Sequence, residues 1–72
     1  MTLDEFTTVI QYLRSPDSEI VELGRVLGKQ MGLLICAESQ YLTYIKTTTG
    51  WATISYVAQF KTIEQLYAIC IW

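Results

Sequence analysis

The chain has no histidine among its 72 residues. That absence removes the commonest general base and the usual partner of a nucleophilic serine or cysteine, so Ser-His and Cys-His catalysis are impossible within one chain. It also closes most zinc chemistry. A structural zinc site needs about four N or S ligands, and the two cysteines, Cys36 and Cys70, have no histidine or further cysteine at ligand spacing. Each cysteine sits in an apolar run, Leu33-Leu34-Ile35-Cys36-Ala37 and Ala68-Ile69-Cys70-Ile71. Two buried, reduced thiols acting as small hydrophobes are the expected state, with a single disulfide as the other reading.

Other absences narrow the function classes further. The apolar runs fall far short of the roughly 20 residues that cross a bilayer. The start, Met1-Thr2-Leu3-Asp4-Glu5, carries acids early and does not have the form of a signal peptide; the expected setting is the cytoplasm, with no membrane contact. No GxGxxG, P-loop or acidic metal loop occurs. The acid pairs, Asp4 with Glu5 and Glu19 with Glu22, fall at the starts of helices, where the macrodipole already accounts for them. These absences predict a protein that is not an enzyme and uses no metal and no cofactor.

Basic residues are few: five Lys and Arg against seven Asp and Glu, for a net charge of −2. Residues 1–22 carry five acids and one base, while the remainder is slightly basic. There is no basic stripe to track phosphates, and the acidity is too sparse to mimic DNA. Nucleic acid is therefore a weak candidate partner, despite aromatic residues on a predicted sheet that could stack bases.

What is abundant is apolar content, 51% of residues with a single proline. A chain this short buries only about 60% of its unfolded surface, so the content is rich for a lone domain and points to burial against a partner. The pattern predicts a single α+β domain: an N-terminal αα-hairpin, a small antiparallel sheet of two or three strands, and a C-terminal helix.

Thr2-Leu3-Asp4-Glu5 is a capping box, and Leu3, Phe6, Ile10 and Leu13, with Val9 beside them, form an apolar stripe of a helix over 2–14. Ser15-Pro16-Asp17 ends it and starts a second helix, with Ser15 as N-cap and Pro16 at the first helical position. Ile20, Leu23, Leu27 and Met31 form that helix's expected buried stripe. Gly24, Gly28 and Gly32 recur every four residues along it, which reads as a flat face for close packing within the chain or against a partner, with Gly32 as left-handed cap. Residues 33–37 read as a short strand, or as an extension of this helix past Gly32.

Two further strands, 41–47 and 51–60, flank Thr48-Thr49-Gly50, which suits a three-residue hairpin loop. That loop sets Thr47 opposite Trp51, Ile45 opposite Thr53 and Tyr44 opposite Ile54. In this register Tyr44, Ile54 and Tyr56 face the core, while Tyr41, Ile45, Trp51 and Val57 lie together on the other face. A second capping box, Thr62-Ile63-Glu64-Gln65, opens a last helix running to the end, where Ile69 and Trp72 are candidates for a docking or dimer contact.

The patch of Tyr41, Ile45, Trp51 and Val57 is the candidate partner-binding site, because Trp and Tyr dominate interface hot spots; ordinary cross-strand pairing of good β-formers is the alternative. The expected function is a non-catalytic protein-binding module, a small regulator or inhibitor that occludes a surface of another protein or associates with a second copy of itself. Small acidic chains of this kind are common among phage and mobile-element proteins that block host enzymes, a likeness of style rather than of motif. The alternatives are a structural subunit or obligate homodimer, and a weak nucleic-acid or nucleotide binder.

Overall fold

A computed structural model describes residues 1–39, 42–53 and 63–70. Their order is helix α1 (Leu3–Leu13), helix α2 (Ser18–Gln30), strands β1 (Ile35–Ala37), β2 (Thr43–Thr47) and β3 (Gly50–Thr53), and helix α3 (Ile63–Ile69). The fold is α+β, with two N-terminal helices packed together, a three-stranded antiparallel sheet in the order β1-β2-β3, and a C-terminal helix.

α1 forms where its capping box places it. The Thr2 hydroxyl accepts from Glu5 N–H at 3.2 Å, and the Glu5 carboxylate accepts from Thr2 N–H at 2.8 Å. The backbone bond from Thr2, with its side chain second, holds the Glu5 carboxyl below its ordinary range. Phe6, Val9, Ile10 and Leu13 then bury one face.

α2 begins later than its sequence suggests. Asp17, not Ser15, is the N-cap: its carboxylate accepts from Glu19 N–H at 2.9 Å, while the Ser15 hydroxyl accepts from Asp17 N–H. An aspartate suits this place because it adds a negative charge to the positive end of the helix. The helix closes in a Schellman motif. Leu33 N–H reaches Gly28 C=O at 2.9 Å, Gly32 N–H reaches Lys29 C=O at 3.2 Å, and Gly32 has φ +95°. The turn ends the helix there, so residues 35–37 are free to form a strand.

The buried face of α2 is also rotated from the expected stripe. Val21, Gly24, Arg25 and Gly28 are buried, Leu23 is exposed, and Leu27 and Met31 pack only on the rim of the core. The glycines decide this. A Cβ on Gly24 would stand 2.8 Å from Tyr12 Cβ and 3.2 Å from Leu13 N, so α1 and α2 approach there with no room for a side chain. Gly24→Ala is expected to lower stability by about 1–2 kcal/mol in urea unfolding, overpacking outweighing the gain in helix propensity. Gly28→Ala should lose less, because the nearest atom is the movable tip of Ile35.

The hairpin differs from its sequence-based register by one residue. The loop is Thr48-Thr49, and the pairs are Thr47 with Gly50, Lys46 with Trp51, Ile45 with Ala52 and Tyr44 with Thr53. The Thr47 hydroxyl closes the turn, donating to Gly50 C=O at 2.8 Å and accepting from Thr49 N–H at 3.3 Å, and Gly50 takes φ +121°. The slip exchanges the faces of β2. Ile45 is fully buried with Thr43 and Thr47, while Tyr44 and Lys46 point outward. Ile54 and Tyr56, also expected in the core, lie outside the described residues.

The core gathers Phe6, Val9, Ile10 and Leu13 of α1, Leu33, Ile45, Ala52, and Leu66 and Cys70 from the C-terminal segment. Phe6 and Tyr67 pack as a tilted ring pair, 5.2 Å between centroids, and the Tyr67 hydroxyl donates to Met1 C=O. α3 does not run to the end of the chain as expected. Cys70 leaves it to bridge Thr47, and Thr48 N–H donates to Ile69 C=O at 2.8 Å. The Thr62 cap lies outside the described residues. Among the described residues no helix is long and apolar enough to cross a membrane.

Candidate functional site

The inner face of the sheet carries Thr43, Ile45, Thr47 and Ala52, buried toward the helices, with α2 against β1 and Arg25 reaching Thr43. Among the described residues no element packs on the outer face. The pairing places its side chains in rows across the three strands. Leu34, Lys46 and Trp51 form one row, fixed by the Lys46 N–H bond to Leu34 C=O at 3.0 Å; Cys36, Tyr44 and Thr53 form the next. Glu38 stands at the end of β1, beside Leu42.

Trp51 is 52% exposed and Leu34 46%. The Lys46 ammonium sits 5.4 Å from the centre of the Trp51 ring, a cation–π distance that steadies the indole without covering it. The Tyr44 hydroxyl donates to the Glu38 carboxylate at 2.8 Å, and that acceptor raises the Tyr44 phenol above its ordinary range. A shallow depression of about 270 Å³ lies between Trp51, Tyr44, Cys36 and Glu38. A second, of about 370 Å³, lies beyond Trp51 against Thr47, Thr49, Ala52 and Thr53. Trp51 thus borders both hollows.

The chemistry on offer is recognition by apolar area, one ammonium, one carboxylate and an exposed thiol. Among the described residues no His, Cys, Asp and Glu side chains converge to hold a metal ion. The thiols differ in setting. Cys70 is buried and burial pushes it up to about 11, whereas Cys36 is exposed on this face, not buried as its apolar run suggests; both are free. A three-residue strand with its outer side open cannot bury alternate residues, however apolar the run.

No family model, curated protein or solved structure matches the chain.

Of the patch expected from sequence, Trp51 stands on this surface. Ile45 does not: it is fully buried, because the two-residue loop turns it inward against Ala52. Tyr41 and Val57 lie outside the described residues. Ile69 is half-buried against the core, and Trp72 also lies outside the described residues. The residues that sequence reasoning missed are Leu34, Cys36, Glu38, Tyr44 and Lys46. One signal could have found them: the longer loop forces the Lys46 charge into the core, and the shorter one releases it to the Trp51 face.

Proposed function

We propose that the protein is a non-catalytic protein-binding module, a small regulator or inhibitor that occludes a surface of a partner protein with the outer face of its sheet. The observation that carries this reading is Trp51, half-exposed beside a hollow on a sheet face that no described element covers. Tryptophan and tyrosine give large contact area at small entropic cost, and anchors of this type dominate interface energetics. Leu34 widens the apolar centre, while Lys46 and Glu38 supply charges at its margin, the arrangement of an apolar core with a polar rim. Glu38 on the same surface weighs against a phosphate backbone as the ligand.

The test compares wild type with Trp51→Ser in tagged pull-downs from nuclease-treated lysate, with mass spectrometry on both. One stoichiometric protein captured by wild type and lost by the variant is the expected result; the same proteins in both lanes would sink the reading. Trp51→Ser should stay within about 1 kcal/mol of wild type in thermal unfolding, so that lost capture reports lost contact and not a lost fold.

A second reading, a subunit of a larger assembly, draws on Leu23 and Val26, exposed on α2 away from the Trp51 face.

A further inference from the structure

The alternation of backbone groups along β1 turns part of that strand away from β2, to an edge that no other described strand occupies. Lys46 N–H donates to Leu34 C=O and Glu38 N–H to Leu42 C=O, each at 3.0 Å. Residues 34, 36 and 38 therefore turn their backbone groups toward β2, and Ile35 and Ala37 turn theirs to the opposite side. Among the described residues nothing pairs with that side, since β1 is the first strand of the order β1-β2-β3. Natural edges are commonly blunted by lysine, proline, a bulge or a covering element. Leu33-Leu34-Ile35-Cys36-Ala37 has neither charge nor proline, and Leu34, Cys36 and Ala37 are exposed.

We propose that β1 pairs antiparallel with β1 of a second copy of this chain, centred on Cys36, joining the two sheets into one of six strands. The register follows from the strand itself. Centred on Cys36, Ile35 exchanges backbone hydrogen bonds with the partner's Ala37 and Ala37 with the partner's Ile35, so the whole strand is paired. A shift by one residue would set inner side chains against outer ones, and a shift by two would leave part of the strand unpaired.

Charge agrees with this register. Glu38 falls opposite the partner's Leu34, in the same row as the partner's Lys46 two strands away, at about 10 Å between backbones. The two Glu38 carboxylates end up at opposite ends of the seam. The dimer also completes the candidate site: the hollow at Cys36 and Glu38 gains the partner's Leu34 and Cys36 as a further wall, and the two Trp51 faces become one continuous surface.

The seam has a built-in reporter. Cys36 lies opposite the partner's Cys36 in a non-hydrogen-bonded pair, with Cα atoms about 4.5 Å apart, inside the ~4.4–6.8 Å that a disulfide spans. With diamide as oxidant, the Sγ–Sγ bond forms as the two thiols give up two protons and two electrons to the diamide. Buried Cys70 takes no part.

The experiment uses light scattering on the reduced chain across micromolar to millimolar concentration, then diamide oxidation followed on non-reducing gels. A concentration-dependent dimer is expected. Its Cys36 cross-link should form about tenfold or more faster than that of a control thiol placed on α1 by Gln11→Cys in a Cys36→Ser background, because pairing raises the effective thiol concentration. Ala37→Pro removes an edge N–H without touching the β1–β2 ladder and should give a folded monomer. Cys36→Glu, at an exposed site, sets two carboxylates face to face and should do the same; it decides the matter if the proline variant fails to fold. A wild type that stays monomeric at millimolar concentration overturns the proposal, as does a dimer that survives Cys36→Glu or a Cys36 cross-link no faster than the control. Capture of a partner is read separately, by Trp51→Ser in pull-downs, so the dimer and the binding face can fail independently of each other.

Discussion

Ile45→Ser is expected to unfold much of the population at 25 °C, while Tyr44→Ser, one residue away, should remain folded. Ile45 is fully buried between Ala52 and the helices. Its replacement removes a branched apolar side chain and buries a hydroxyl, a loss of about 3–6 kcal/mol. A chain of this length has about 4–11 kcal/mol in total. Tyr44 is half-buried on the outer face, and its hydroxyl is held by the exposed Glu38; its loss should lie near 1 kcal/mol. Urea unfolding followed by circular dichroism reads both. The reverse order of stabilities would restore the register in which Thr47 faces Trp51 and would remove the surface described above.

Arg25→Ala should be the most damaging change of any charged residue among those described, at about 2–4 kcal/mol. Its guanidinium is buried under the sheet: Nε donates to Thr43 Oγ1 at 2.9 Å and Nη2 to Ser39 C=O at 2.7 Å, tying α2 to the start of β2. The ion pair with Glu22 at 3.3 Å contributes little of this, since Glu22 is largely exposed. A thermodynamic cycle separates the parts. Arg25→Met keeps the stem but orphans the buried Thr43 hydroxyl; adding Thr43→Val removes that orphan and should recover part of the loss, because replacing both partners of a hydrogen bond is milder than replacing one. An Arg25→Met protein within about 0.5 kcal/mol of wild type would show that the guanidinium is not what joins helix to sheet.

These two residues also mark where the sequence could and could not be read. The helices were legible because their signals are local. The Thr2–Glu5 capping box, the spacing of Phe6, Ile10 and Leu13, and Gly32 as left-handed cap each act within a few residues, and the chain obeys them. The glycine repeat of α2 was legible as a close-packing face. Which side chains accompany it was not, since Arg25 goes inward only because Thr43 and Ser39, distant in sequence, wait there with acceptors.

The candidate surface was legible at Trp51 and misread at Ile45 and Tyr44. Both assignments rested on the hairpin loop, and the loop turned on whether Gly50 belongs to the turn or to the strand. A threonine hydroxyl, donating to Gly50 C=O and accepting from Thr49 N–H, closes the shorter turn. That bond is invisible to hydrophobic alternation, because Thr47 counts as polar and is nevertheless buried with its hydrogen bonds satisfied.

Sequence alone determined the α+β order, the capping-box start of α1 and the Gly32 stop of α2, and the absence of histidine chemistry. Tertiary structure alone decided which face of β2 is core, which face of α2 meets α1, and that Cys36 stands in the open. The physical reason is the range of the forces. Caps and periodicity are settled within one turn of helix, whereas a buried threonine or arginine is stable only when a partner from elsewhere in the chain arrives to meet it.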